Sequence, residues 1–221
     1  MSKKVLVTAH SGCMNTPMNS LEYIKKSIEL GADIIEVDIR FTKNNEILLS
    51  HNELEEEKID SYLRLQDVID IVKPHKDIKL NLDMKEFDKF DVLEAVIIDC
   101  DMVDRVFLSG VKPPVVQRLK TINYKLKYLV NYRLDCSRNT DIDYLNEIAK
   151  DIKELGAFGV NLHYPRASRE LIKTLHHIGK FVSAWTVDDE ETMDKLIEME
   201  IDSISTDRID ILIEKVKNLN K

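Results

Sequence analysis

Three segments of the chain share one grammar: "SIELGADIIEVDI", "IKELGAFGVNLHY" and "LHHIGKFVSAWTV". Each is the end of an amphipathic helix, then a glycine, then a β-branched or aromatic run. Gly31, Gly156 and Gly179 therefore stand where a helix stops in a left-handed turn, open to a residue without Cβ, and a strand begins. That is the junction of a repeating β/α chain, and no other single feature restricts the fold as much.

The remaining apolar runs predict strands over residues 5–9, 33–39, 78–84, 105–109, 126–131, 159–163, 181–186 and 203–206. Helical patterns fall between them, over 20–30, 65–73, 90–99, 114–122, 142–155, 168–178, 190–200 and 209–219. Only "EILLSHN", residues 46–52, stands outside the alternation, as an extension of the second strand unit. Eight strands alternating with eight helices, with no linker or low-complexity run, predict an α/β chain folded as a single-domain (β/α)8 TIM barrel over residues 1–221. A doubly wound open sheet usually has fewer strands and leaves no role for the eighth unit.

The formal charge of -8 sets the chain against nucleic acid and anionic membrane surfaces, so a small-molecule partner is expected, without stable membrane anchoring. The apolar run after the first lysines is shorter than a secretory core and closes on His10, which points to a cytoplasmic protein. Cys13, Cys100 and Cys136 have no metal-type spacing and are expected to be reduced thiols. The oligomeric state is not encoded in any helix face, since all are ordinary amphipathic stripes.

Strands covered on both sides should be apolar throughout, and some of these are not. In "ADIIEVDIRF", Glu36 and Asp38 lie two apart, on one face of one strand. In "IKLNLDMK", Asn81, Asp83 and Lys85 alternate with apolar neighbours. Buried carboxylates require a partner. One partner is a single divalent cation on Glu36, Asp38 and Asp83; an oxygen-only set favours Mg²⁺ or Ca²⁺ over zinc. The other is a self-neutralised cluster with Lys85 and Arg40. His10 ends the first strand and His51 follows the second, both at the strand ends where barrel enzymes place their chemistry, so they are candidates for acid/base catalysis. His163 and Trp185, at later strand ends, are candidates for lining a substrate pocket. His75, His176 and His177 lie in a loop or on a helix and are expected at the surface or in packing. No phosphate-binding glycine loop, dinucleotide fingerprint or nucleophile elbow is present.

Taken in order, "HSG" at His10, "MNS" at Met18, "GADIIEVD" from Gly31, "HN" at His51, "DMK" at Asp83, "AWTV" at Ala184 and "STDR" at Ser205 resemble the motifs of the glycerophosphodiester phosphodiesterases nearly end to end. The resemblance implies a TIM barrel, a cation on Glu36, Asp38 and Asp83, acid/base histidines His10 and His51, and Lys85 facing the phosphate; the short acidic linker between His51 and Leu65 departs from it, standing where the family usually carries a longer insertion. It implies metal-dependent hydrolysis of a glycerophosphodiester to glycerol phosphate and an alcohol. The chain departs from the family at Ser11, where the motif has arginine, and at Met18, where it has glutamate. Arg133, after the fifth strand, is the candidate to help Lys85 carry the phosphate charge. Asp-x-Lys and the missing arginine also resemble sphingomyelinase D-type phospholipases, which expel the head group and leave a cyclic phosphate. A third reading is a barrel that has lost catalysis and only binds a phosphate-bearing metabolite or a protein partner.

Overall fold

A computed structural model describes residues 5–121 and 124–219. Its strands are β1 (Leu6–Ala9), β2 (Ile34–Phe41), β3 (Ile47–Leu49), β4 (Lys79–Met84), β5 (Val106–Val111), β6 (Lys127–Val130), β7 (Gly159–His163), β8 (Phe181–Trp185) and β9 (Ser203–Thr206). The helices are α1 (Leu21–Leu30), α2 (Leu65–Val72), α3 (Phe90–Asp99), α4 (Pro113–Thr121), α5 (Ile142–Leu155), α6 (Arg169–His177), α7 (Glu190–Glu198) and α8 (Ile209–Asn218). The sheet runs β1-β9-β8-β7-β6-β5-β4-β2 and closes through parallel pairing of β1 with β2, Thr8 opposite Ile34. Eight parallel strands thus form a closed barrel with helices outside, the (β/α)8 architecture. The ninth, β3, is antiparallel to β2, so the 46–52 segment is a hairpin extension at the barrel mouth. The helix expected over 114–122 begins one residue earlier, and its last residue, Ile122, lies outside the described residues.

Local chemistry sets the boundaries. Ser20, Asp141, Ser168 and Asp189 accept hydrogen bonds from the first-turn backbone of α1, α5, α6 and α7. Gly31 and Gly156 cap α1 and α5 with φ of 89° and 72°, as the repeated grammar requires. Cys13, Cys100 and Cys136 are free thiols. His176 pairs with the buried Asp202 at 2.8 Å, a packing role as expected. Among the described residues no helix is long and apolar enough to cross a membrane.

Two apolar bodies support the site. The large one fills the layer between the strands' outward faces and the helices. The small one gathers Leu6, Ile34, Phe107, Leu129 and Phe181, one inward-facing residue from each of five strands, and plugs the barrel floor. Two residues further along the same strands, the inward positions turn polar: Thr8, Glu36, Ser109 and Ser183. Gly159 allows the close contact of β7 with β8, since a Cβ there would stand 1.9 Å from the Phe181 carbonyl oxygen.

Candidate active site

Above that floor, at the C-terminal ends of the strands, lies a cavity of about 210 Å³. It brings together His10, Glu36, Asp38, His51, Asp83, Lys85 and Trp185, with Asn81, Ser109, Asn131, Asn161, Ser183 and Ser205 between them. The parallel register explains the acid cluster: Glu36 faces Asn81 and Asp38 faces Asp83 across β2 and β4. One oxygen of each of Glu36, Asp38 and Asp83 lies within 4.8 Å of the others.

Protein cations answer two of the three acids. The Lys85 ammonium stands 2.7 Å from Asp38 Oδ1 and also donates to Asp83 Oδ2. Burial works against its charge, but the two carboxylates outweigh it and hold the ammonium pKa above its ordinary value. Arg40, the other proposed neutraliser, turns away to Glu86 at 3.0 Å and to the His51 carbonyl at 3.1 Å. Among the described residues no cation is paired with Glu36. Its pKa is pushed up to about 8, first by burial and then by Asp38 and Asp83, against the opposing pull of His10 and the Ser11 N–H. A surplus of buried oxygen donors fits a hard divalent cation on these three residues. Asn81 fits it too: its buried side-chain oxygen borders the cavity and has no protein partner.

Each working side chain is held from behind. His10 Nδ1 is 2.9 Å from Asp207 Oδ1, which leaves Nε2 free for the cavity. Burial opposes a charge on this ring, but the Asp207 hydrogen bond and the charges of Glu36, Asp207 and Asp38 carry its pKa to about 9. Asp207 is itself fixed by its N–H to Asp188 Oδ1 at 2.8 Å and by its carbonyl, which accepts from the Met14 N–H. Asn19 adopts a left-handed φ of 53°, donates from Nδ2 to Asp38 Oδ2 at 2.8 Å and accepts the Asp38 N–H at 3.0 Å. Ser11, at the arginine position of the resembling motif, is buried; its N–H donates to Glu36 Oε2 and its hydroxyl accepts the Asn19 N–H. It therefore braces the acids and offers the cavity no charge. Met18, at the glutamate position, is 54% exposed in a groove beside the cavity. His51 is exposed at the end of the β2–β3 hairpin, which the Ser50 N–H ties to the Asp38 carbonyl at 3.1 Å.

Two expected lining residues lie elsewhere. His163 is the last residue of β7 and keeps its inward parity, but it is exposed outside the cavity lining, with its ring 5.4 Å from that of Trp185. Arg133 lies in an adjoining groove, because the chain leaves the barrel after Val130 and strand parity no longer aims it inward. Trp185 does line the cavity, and its indole N–H is buried without a partner. Asp207 and Asn19 carry no signal of their own in the sequence beyond their places in "STDR" and "MNS".

The sequence model of the glycerophosphoryl diester phosphodiesterase family matches residues 10–95 and 62–211. A glycerophosphodiester phosphodiesterase of Caldanaerobacter subterraneus subsp. tengcongensis is 23% identical, over 97% of this chain and 98% of that protein. The crystal structure of a glycerophosphodiester phosphodiesterase from Parabacteroides distasonis superposes with a TM-score of 0.82 at 18% identity, over the whole of both chains. An Oleispira antarctica phosphodiesterase, solved in complex with the product sn-glycerol-3-phosphate, superposes with a TM-score of 0.72 at 14% identity, over 97% of each chain.

Proposed function

The chain belongs to the glycerophosphoryl diester phosphodiesterase family, and from that premise we propose that it is a phosphoric diester hydrolase acting on a glycerophosphodiester, with glycerol phosphate and an alcohol as products. The observation that carries this reading is the convergence, in one cavity, of two histidines, three carboxylates and a lysine drawn from residues 10 to 85. Glu36, Asp38 and Asp83 are the residues to hold one Mg²⁺ or Ca²⁺, with the Asn81 oxygen beside them. When bound, such a cation supplies positive charge to the phosphoryl group and acidifies a hydroxyl of water or substrate.

The chain's own residues do the rest. Water adds to phosphorus, the bond from phosphorus to the alcohol oxygen breaks, and that oxygen takes up a proton. His10 and His51 divide the two proton movements, one withdrawing from the attacking oxygen and the other delivering to the departing one. Asp207 fixes the orientation of His10, while His51 is placed by the hairpin end. Lys85 offers a charge-assisted contact to a phosphate oxygen, the only such side chain of lysine or arginine in the cavity lining among the described residues. Trp185 closes the far wall with an apolar face and one free N–H. The barrel, read as one domain, thus serves as a rigid frame for a single centre.

Release of glycerol phosphate from glycerophosphocholine or glycerophosphoethanolamine, followed with and without EDTA, tests the reading. Hydrolysis that EDTA abolishes and Mg²⁺ or Ca²⁺ restores is the expected result. Hydrolysis indifferent to EDTA would remove the cation from the account.

A further inference from the structure

Two grooves leave the catalytic cavity at different points of the barrel mouth, and each shares one residue with it. The groove through His51 is bordered by Met18, Tyr62 and Leu63 together with Asp60 and Asp67. The groove through Asn131 holds about 750 Å³ and runs between α4 and α5. Its end nearest the cavity, where β5 and β6 finish, carries Lys112 and Arg133.

These two cations are distinguished by what surrounds them. Neither side chain makes a hydrogen bond or ion pair with any described residue. The acids of the same groove are both engaged: Asp151 accepts from the Tyr132 hydroxyl at 2.6 Å, and Glu154 lies 3.9 Å from the Lys150 ammonium. In a chain with 40 acidic and 32 basic residues, two cations without an acidic partner side by side at the mouth run against the overall sign. A guanidinium fork and an ammonium together suit a phosphate or carboxylate. Between them and the acid cluster stands Asn131, whose side-chain oxygen is buried without a partner. That amide is placed to meet a hydroxyl of an alcohol crossing from cavity to groove.

We propose that the alcohol lying on the Asn131 side of the substrate carries a second anionic group, a phosphate or a carboxylate, held by Arg133 and Lys112. The proposal rests on the phosphodiesterase reading and narrows its substrate class.

Two matched pairs test it: glycerophosphoinositol with and without a 4-phosphate, and glycerophosphoserine against glycerophosphoethanolamine. The first reports a phosphate and the second a carboxylate. In the wild type kcat/KM should favour the more anionic member of at least one pair by about 10-fold, the yield of two partly exposed charge contacts. That ratio should fall to about one in Lys112→Gln/Arg133→Gln and shrink in high salt. A wild-type ratio of one or less in both pairs, or a preference the double variant keeps, overturns the proposal. If no diester is turned over, the hydrolase reading fails separately, and binding decides the subsite. Inositol 1,4-bisphosphate should then quench the fluorescence of Trp185, the only tryptophan, at about 10-fold lower concentration than inositol 1-phosphate, with the difference lost in the double variant. Equal affinities would overturn it.

Discussion

Replacing Glu36 by glutamine separates a cation site from a self-neutralised salt-bridge cluster, because the two make opposite demands on that carboxyl. Without a cation its midpoint stands at about 8 against an ordinary 4.5, with burial the largest cause and Asp38 and Asp83 adding to it. A displacement of that size makes the carboxylate on the order of 5 kcal/mol less stable in place than in water. The folded chain therefore binds this proton more tightly than the unfolded chain between pH 4.5 and 8. Over that window the metal-free protein loses stability as pH rises, by up to about 1.4 kcal/mol per pH unit from this group. Glu36→Gln keeps the shape and removes the titration, so its metal-free stability should decline less steeply. At ~2–4 °C per kcal/mol for a chain of this length, the variant should gain at least ~5 °C in Tm on the wild type between pH 5 and pH 8. Calorimetry in EDTA at both pH values measures that gain, and excess Ca²⁺ or Mg²⁺ should reverse the order by stabilising the wild type alone. A variant that falls further behind the wild type in EDTA as pH rises would refute the reasoning, since the Glu36 carboxylate would then be stabilised by its protein neighbours.

Three further substitutions probe the supporting contacts. Asp207→Asn removes the hydrogen-bonded charge behind His10, so in metal-free protein the imidazole midpoint, read by NMR, should fall from about 9 toward 6.5. The stability that His10 contributes is fully present below pH 6.5 and lost as pH rises through 9, and the variant should lose it at lower pH. Asn19→Ala deletes both bonds to Asp38 and should weaken cation binding by about 10- to 100-fold in calorimetric titration; an unchanged affinity would make Asn19 a turn residue only. Lys85→Met should lower kcat/KM by about 100-fold as a phosphate contact is lost, and untouched steady-state kinetics would remove Lys85 from the site.

The barrel and half of its centre are legible in the sequence for one reason: both obey short periods. Gly31 and Gly156 mark helix ends because a left-handed φ selects glycine, and they do so in the structure. Glu36, Asp38 and Asp83 stand out because alternation puts charge where a covered strand should be apolar. What escapes is set by contacts between distant segments. Asp207 reaches His10 across 197 positions, and no local pattern announces it. Asn19 holds Asp38 through a left-handed turn, so the residue just ahead of the Ser20 cap of α1 becomes part of the acid cluster's frame. Arg133 shows the converse: three residues past the end of β6, it borders the groove beside the cavity and not the cavity itself. Ser11 reads as the loss of a phosphate contact, and in the fold its hydroxyl and N–H brace Asn19 and Glu36.

The most direct test of the proposed chemistry is phosphorus NMR of the protein with Mg²⁺ or Ca²⁺ and a panel of glycerophosphodiesters and lysophospholipids, with His10→Ala as control. A phosphomonoester signal that grows with time and is absent from the control is the expected result. A persistent cyclic phosphate would contradict hydrolysis and assign the barrel to head-group expulsion by an internal hydroxyl, and a monoester formed equally by His10→Ala would contradict the catalytic role given to that ring.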